Sequence, residues 1–221
     1  MKQRKTKNNN SKPARRVIPL EAKSTNQRDY IRSIVENEVI FCTGPSGTGK
    51  SFIAAGISSE HLHREQFDKI IVTRPLVCTG KEIGYLPGDV KDKIKPYLLP
   101  MEENLRFFLG RDYFGHFFNS GRIRFEPLET MRGSTFHESC MILDEAQNCT
   151  VEQIKMFITR MGEGSKVIIN GDTKQTDLHN RSGLEFCIDR LDGVEGVGVC
   201  HLDYSDIQRN GIIGNILNAL E

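Results

Sequence analysis

The chain has 221 residues, enough for one sizeable hydrophobic core and little beyond it. No run approaches the roughly 18 apolar residues of a membrane span, and the charged amino terminus lacks the apolar centre of a secretory signal, so a soluble, cytoplasmic protein without a membrane partner is expected. The formal net charge of +1 is unevenly spread: residues 1–16 hold seven basic side chains and no acidic one, leaving 23 basic against 29 acidic residues, so any nucleic-acid partner must meet the tail or a local patch.

In chain order, residues 1–24 lack apolar periodicity and read as a disordered basic tail, either a solubilising extension or a nucleic-acid-binding arm. The folded body, residues 25–221, is expected to open with a helix from Gln27 to Glu36 that presents Tyr30, Ile31, Ile34 and Val35. A strand from Glu38 to Thr43, a glycine-rich turn, a helix from Ser51 to Ser59 and a strand from Lys69 to Thr73 follow. Gly and Pro punctuation makes 80–100 loop-like. Segment 101–118 reads as one aromatic helix, before strands from Ile123 to Pro127 and Ser139 to Asp144, a helix from Val151 to Met161 and a strand from Lys166 to Asn170. This alternation predicts an α/β fold with a parallel sheet and helices on both faces, because parallel neighbours require a crossover.

Gly44-Pro45-Ser46-Gly47-Thr48-Gly49-Lys50-Ser51 matches G-x-x-x-x-G-K-[ST] between a strand and a helix, the context that makes it a phosphate-binding loop. Its glycines let backbone N–H groups turn toward phosphates, Lys50 neutralises the β and γ oxygens, and Ser51 offers magnesium a hydroxyl. An apolar strand then ends in Asp144-Glu145. Following such a loop, Asp144 is placed to hold magnesium and Glu145 to polarise an attacking water. A third apolar strand leads into Gly171-Asp172-Thr173-Lys174-Gln175, where Gln175 either senses the γ-phosphate or orients water, or the run is a plain Gly-Asp turn.

Read jointly, GPSGTGKS, the DEAQN run from Asp144 to Asn148 and the G-D-x-x-Q run from Gly171 to Gln175 resemble the ATPase domain of the PhoH-like family, relatives of superfamily 1 helicases. Thr73-Arg74-Pro75, the run from Gly84 to Asp89, Lys95-Pro96-Tyr97, Met131-Arg132-Gly133 and Thr159-Arg160 extend the resemblance over nearly the whole body. It implies a RecA-like, helicase-like core that uses ATP with Mg2+, an adenine-reading role for Asn26 and Gln27, and an arginine finger at Arg209. It also implies a homo-oligomer, such as a hexameric ring, in which Arg209 acts in trans. Asn210-Gly211 and Ser134 depart from the family's usual residues, at positions that bear on the subunit interface. No residues remain for the nuclease domain fused in some members, so RNA cleavage is not expected.

The function expected is a magnesium-dependent, RNA-associated ATPase, a helicase or remodelling motor, with single-stranded RNA or DNA as its nucleic-acid partner. The competing readings are a small-molecule kinase, against which Glu145 speaks because an activated water would compete, and an ATP-gated interaction module. No N-K-x-D run favours GTP. The scattered cysteines, without a C-x-x-C pair, indicate neither a disulfide framework nor zinc, and His61 and His63 read as solvated. Lys91, Lys93 and Lys95, with Arg74 and Arg132, are either a solvated face or a contact to a phosphate backbone.

Overall fold

The computed structural model describes residues 17–75, 90–175 and 182–207, and of residues 90–95 only the backbone. The basic tail up to residue 16, the 84–89 run, Cys78 and Arg209 lie outside the described residues, as do the side chains of Lys91, Lys93 and Lys95.

Six strands form one parallel sheet: β1 (Val39–Thr43), β2 (Lys69–Thr73), β3 (Ile123–Phe125), β4 (Ser139–Leu143), β5 (Lys166–Gly171) and β6 (Val197–His201), in the order β3-β2-β4-β5-β1-β6. The side-chain period of two divides each strand between two cores. Ile40, Cys42, Ile70, Val72, Cys140, Ile142 and Ile168 face one layer of helices, while Phe41, Ile71, Met141, Leu143, Val167 and Ile169 face the other. Because both faces are covered, the strands are apolar throughout rather than alternating, and this is why the short runs IIV and KVIIN are legible as strands.

The first layer contains α1 (Thr25–Glu36), α2 (Lys50–His63), α3 (Val90–Leu109) and α4 (Arg111–Asn119). Ser24 caps α1 by accepting from the Gln27 N–H at 3.1 Å, and Gln27, Tyr30 and Ile34 are its buried face. Val35, expected on that face, is exposed. At the other end, the Lys166 ammonium donates to the Ile34 and Asn37 carbonyls, satisfying acceptors that the end of a helix leaves orphaned. Helix α2 is buried almost all round, and a Cβ at Gly56 would lie 2.8 Å from the Phe108 ring, so the absence of a side chain there lets α3 approach.

Helix α3 corrects the sequence reading, because it begins at Val90 and runs through Pro96 and Pro100 instead of starting after them. An interior proline costs about 3 kcal/mol. Leu98, Met101, Leu105, Phe108 and Leu109 recur at helical spacing and are buried, and each such side chain recovers about 1.5–3 kcal/mol. Gly110, at φ 72°, then breaks the expected single aromatic helix into α3 and α4. Residues 17–24 also differ from a disordered tail: Val17 and Leu20 pack on the core, and the Ile18 N–H donates to the Phe108 carbonyl at 3.0 Å.

Helices α5 (Val151–Ile158) and α6 (Gly183–Leu191) cover the other face through Ile154, Phe157, Leu184 and Cys187. A capping box between Thr150 and Gln153 starts α5. Among the described residues no helix is long and apolar enough to cross a membrane.

One buried polar contact ties the helix layer to the sheet. The Tyr30 hydroxyl donates to Asn170 Oδ1 at 2.7 Å, and Asn170 Nδ2 has no hydrogen-bond partner among the described residues. Tyr30→Phe is expected to cost about 1–3 kcal/mol, because it leaves Oδ1 unpaired as well. Urea unfolding followed by circular dichroism measures this as a lower midpoint at unchanged slope.

Candidate functional site

Strand register decides what meets at the carboxyl edge of the sheet. Thr43 of β1 pairs with Gly171 of β5, and Leu143 of β4 pairs with Ile169 of β5. Gly44 and Asp172 therefore leave the sheet side by side, with Asp144 emerging level with Asn170 at the same edge. The chain passes from β1 to β2 on one side and from β5 to β6 on the other, so the crevice lies where the strand order reverses, the usual ligand position in open α/β sheets.

The phosphate loop is built by glycine stereochemistry at one close approach. Gly44 sits at φ 148°, and a Cβ there would lie 2.2 Å from the Leu202 carbonyl oxygen that follows β6, while its N–H donates to the Gly171 carbonyl at 3.2 Å. Thr48 closes the turn by donating to the Pro45 carbonyl at 2.9 Å. Gln27 braces the loop from α1: its Nε2 donates to the Thr48 carbonyl at 2.8 Å and its Oε1 accepts from the Lys23 N–H at 2.8 Å. Gln27 is buried, and Asn26 instead donates to Asp206 at 2.9 Å.

Ser46, Gly47, Gly49, Lys50 and Ser51 line a cleft of about 310 Å³ with Asp144, Glu145, Asp172 and Gln175. The Lys50 ammonium donates to the carbonyls of Gly44 and Pro45, at 2.5 Å and 2.9 Å, inside the loop's own curve. Ser51 Oγ donates to Asp144 Oδ1 at 2.7 Å. Burial raises the Asp144 pKa to about 6, with the neighbouring Glu145 charge adding to it, against the Ser51 hydrogen bond, Arg74 and Lys50. One carboxylate and one hydroxyl in contact, with the carboxylate short of counter-charge, fit magnesium, which binds through one or two carboxylates and keeps several waters.

Glu145 has φ 57° and ψ 39°, a left-handed conformation that costs a non-glycine residue on the order of 1 kcal/mol. Its Oε2 accepts from Gln147 Nε2 at 2.6 Å, and Gln147 Oε1 accepts from the Asp172 N–H at 3.0 Å, so the acid is tied to the end of β5. The Gln175 N–H closes a turn on the Asp172 carbonyl at 3.1 Å, which leaves its side chain exposed at the cleft.

The structure thus brings together ten of the residues singled out from the sequence, Gly44 to Ser51 with Asp144 and Glu145, and sets Gln175 at their rim. Two placements are not visible in the sequence, that of Arg74 in the cleft and that of Gln147 beside Glu145. Arg74 lines the same cleft, whereas Arg132 sits in a separate hollow beside Glu129 and Glu152, so the two are not one phosphate-binding face. Gln147 stands two residues after Glu145 in the DEAQN run, and that spacing is the signal the sequence carries for it. His61 lies tilted against the Phe67 ring and His63 meets Tyr113 edge-on.

The pattern of a family described as PhoH-like protein matches residues 19–221. A PhoH-like protein of Synechocystis sp. is 42% identical over 209 residues, covering 94% of this chain and 64% of its own length. A PhoH-like protein of Bacillus subtilis is 40% identical over 204 residues, covering 91% and 64%. Protein PhoH of Escherichia coli is 37% identical over 213 residues, covering 95% and 60%. The chain therefore spans 60–64% of the length of these curated relatives. Among solved structures, the large terminase of a thermophilic bacteriophage superposes with a TM-score of 0.53 at 12% identity, covering 90% of this chain and 50% of that one. The UvsW helicase of bacteriophage T4 superposes with 0.50 at 13%, covering 83% and 61%. These are likenesses of fold, that of a helicase-like P-loop NTPase core.

Proposed function

The chain belongs to the PhoH-like family, and from that premise we propose that it binds ATP with magnesium, hydrolyses it, and couples hydrolysis to single-stranded RNA or DNA. The observation that carries the ATPase reading is the 2.7 Å contact of Ser51 with Asp144, beside a second carboxylate that reaches solvent, at the mouth of a phosphate loop.

The loop N–H groups and Lys50 hold the triphosphate. Ser51 and Asp144 are the residues that would hold magnesium, which when bound neutralises charge on the β and γ oxygens. Glu145 accepts a proton from a water aligned with the γ-phosphorus; the water oxygen bonds to phosphorus as the bond to the β–γ bridging oxygen breaks, releasing ADP and phosphate. Gln175 orients that water or senses the γ-phosphate. Gln27 reads adenine only with what its two backbone bonds leave, one Nε2 hydrogen and one Oε1 lone pair. Arg209 supplies charge to the site of a neighbouring subunit in a homo-oligomeric ring.

The nucleic-acid part of the reading is supported by the seven basic residues of the first 16 and by the G-D-x-x-Q run at the cleft. Phosphate release from ATP with magnesium tests it, in the presence and absence of single-stranded RNA and of single-stranded DNA. Turnover is expected to rise several-fold with one of them, and less so at higher salt because phosphate contacts release counterions. Turnover that ignores both strands would leave an ATPase and remove its nucleic-acid partner.

A further inference from the structure

Arg74 follows β2 directly, and its guanidinium enters the cleft that Lys50, Ser51 and Glu145 line. One terminal nitrogen lies 3.6 Å from Glu145 Oε1, and the other donates to the Tyr97 carbonyl of α3 at 3.2 Å. Gln147 holds the second oxygen of Glu145 at 2.6 Å. Both oxygens of the acid are therefore engaged by protein groups, but unequally: the Gln147 bond is short, whereas 3.6 Å is an ion pair beyond hydrogen-bond distance.

The geometry points to Arg74 as a second cation of the γ-phosphate site, acting within its own subunit and shared between Glu145 and the terminal phosphate. The inference rests on the ATPase reading above. A γ-phosphate carries more charge than a carboxylate and offers oxygens that match the planar guanidinium fork. The Tyr97 carbonyl anchors one nitrogen, so the fork can turn between the two anions without leaving the cleft. When it turns to phosphate, Oε1 of Glu145 is released to the attacking water. A nucleic-acid backbone is a poorer partner, because Arg74 sits among the two carboxylates that close the phosphate cleft.

Equilibrium binding of a non-hydrolysable ATP analogue and of ADP, both with magnesium, tests the assignment in wild type, Arg74→Ala, Arg74→Lys, Glu145→Gln and the Arg74→Ala/Glu145→Gln double variant. Arg74→Ala is expected to bind the analogue roughly tenfold or more weakly, the scale of one charge-assisted hydrogen bond, with ADP affinity changed by less than about twofold. Arg74→Lys recovers part of the loss. Glu145→Gln removes the competing anion and binds the analogue more tightly than wild type, a gain that the double variant lacks. If Arg74→Ala keeps the wild-type preference for the triphosphate, or loses ADP equally, the assignment is overturned while the ATPase reading stands. A wild type that binds neither nucleotide overturns both.

Discussion

Glu145→Gln is expected to lower ATP turnover by a factor of roughly 10²–10⁴, the usual contribution of a positioned general base, while nucleotide affinity is kept or improved. Burial divides the labour between the two acids. Asp144 is 8% exposed and takes the Ser51 hydrogen bond, whereas the Glu145 side chain is 38% exposed and opens to the cleft. Among the described residues that line the cleft, Glu145 is the carboxylate that combines access to water with a place next to the phosphate loop. Gln preserves its size and can still meet Gln147, so the substitution removes the proton acceptor and the negative charge without removing the contact. Single-turnover phosphate release, with analogue binding in parallel, separates the two quantities. Full turnover in the variant would remove Glu145 as the base, and turnover equally slow in wild type and variant would favour the ATP-gated module.

What could be read from the sequence was what is fixed over a few consecutive residues. The loop from Gly44 to Ser51 and the Asp144-Glu145 pair are chemically determined within eight and two positions, and strands buried on both faces announce themselves as apolar runs. Strand β6 is less visible, because its five residues VGVCH include a glycine and end on an exposed histidine, and it gains its place by pairing with β1. The start of α3 is hidden because Pro96 and Pro100 are local signals, while the stripe from Leu98 to Leu109 that outweighs them depends on α2. Val17 and Leu20 carry no period and are ordered by a surface contributed from elsewhere in the chain. Arg74 and Gln147 were hidden for a further reason: their roles arise where β2, β4 and β5 end together, which is a property of register, not of spacing.

Asp144→Asn should separate stability from function in opposite directions. Its carboxyl has a pKa of about 6 in the folded chain against an ordinary value of 3.8, so the ionised form is disfavoured by folding. For a raised acid the stabilising contribution is full below the unfolded value, is lost as pH rises through the folded one, and leaves the ionised form costing about 3 kcal/mol above pH 7. Asparagine carries no charge and keeps an oxygen for the Ser51 hydroxyl. The variant is therefore expected to unfold at higher urea concentration than wild type near pH 7.5, and the advantage should shrink from pH 6 toward pH 4. Glu145→Gln should show a smaller gain over the same window, since the Glu145 charge is the second cause of the shift after burial. With magnesium and an ATP analogue present the ranking should invert, because wild type gains binding free energy that Asp144→Asn has lost. A variant no more stable than wild type at pH 7.5 would mean that Asp144 is neutralised by Lys50 and Arg74 more completely than its burial suggests. The destabilising charge would then have to be sought elsewhere in the cleft.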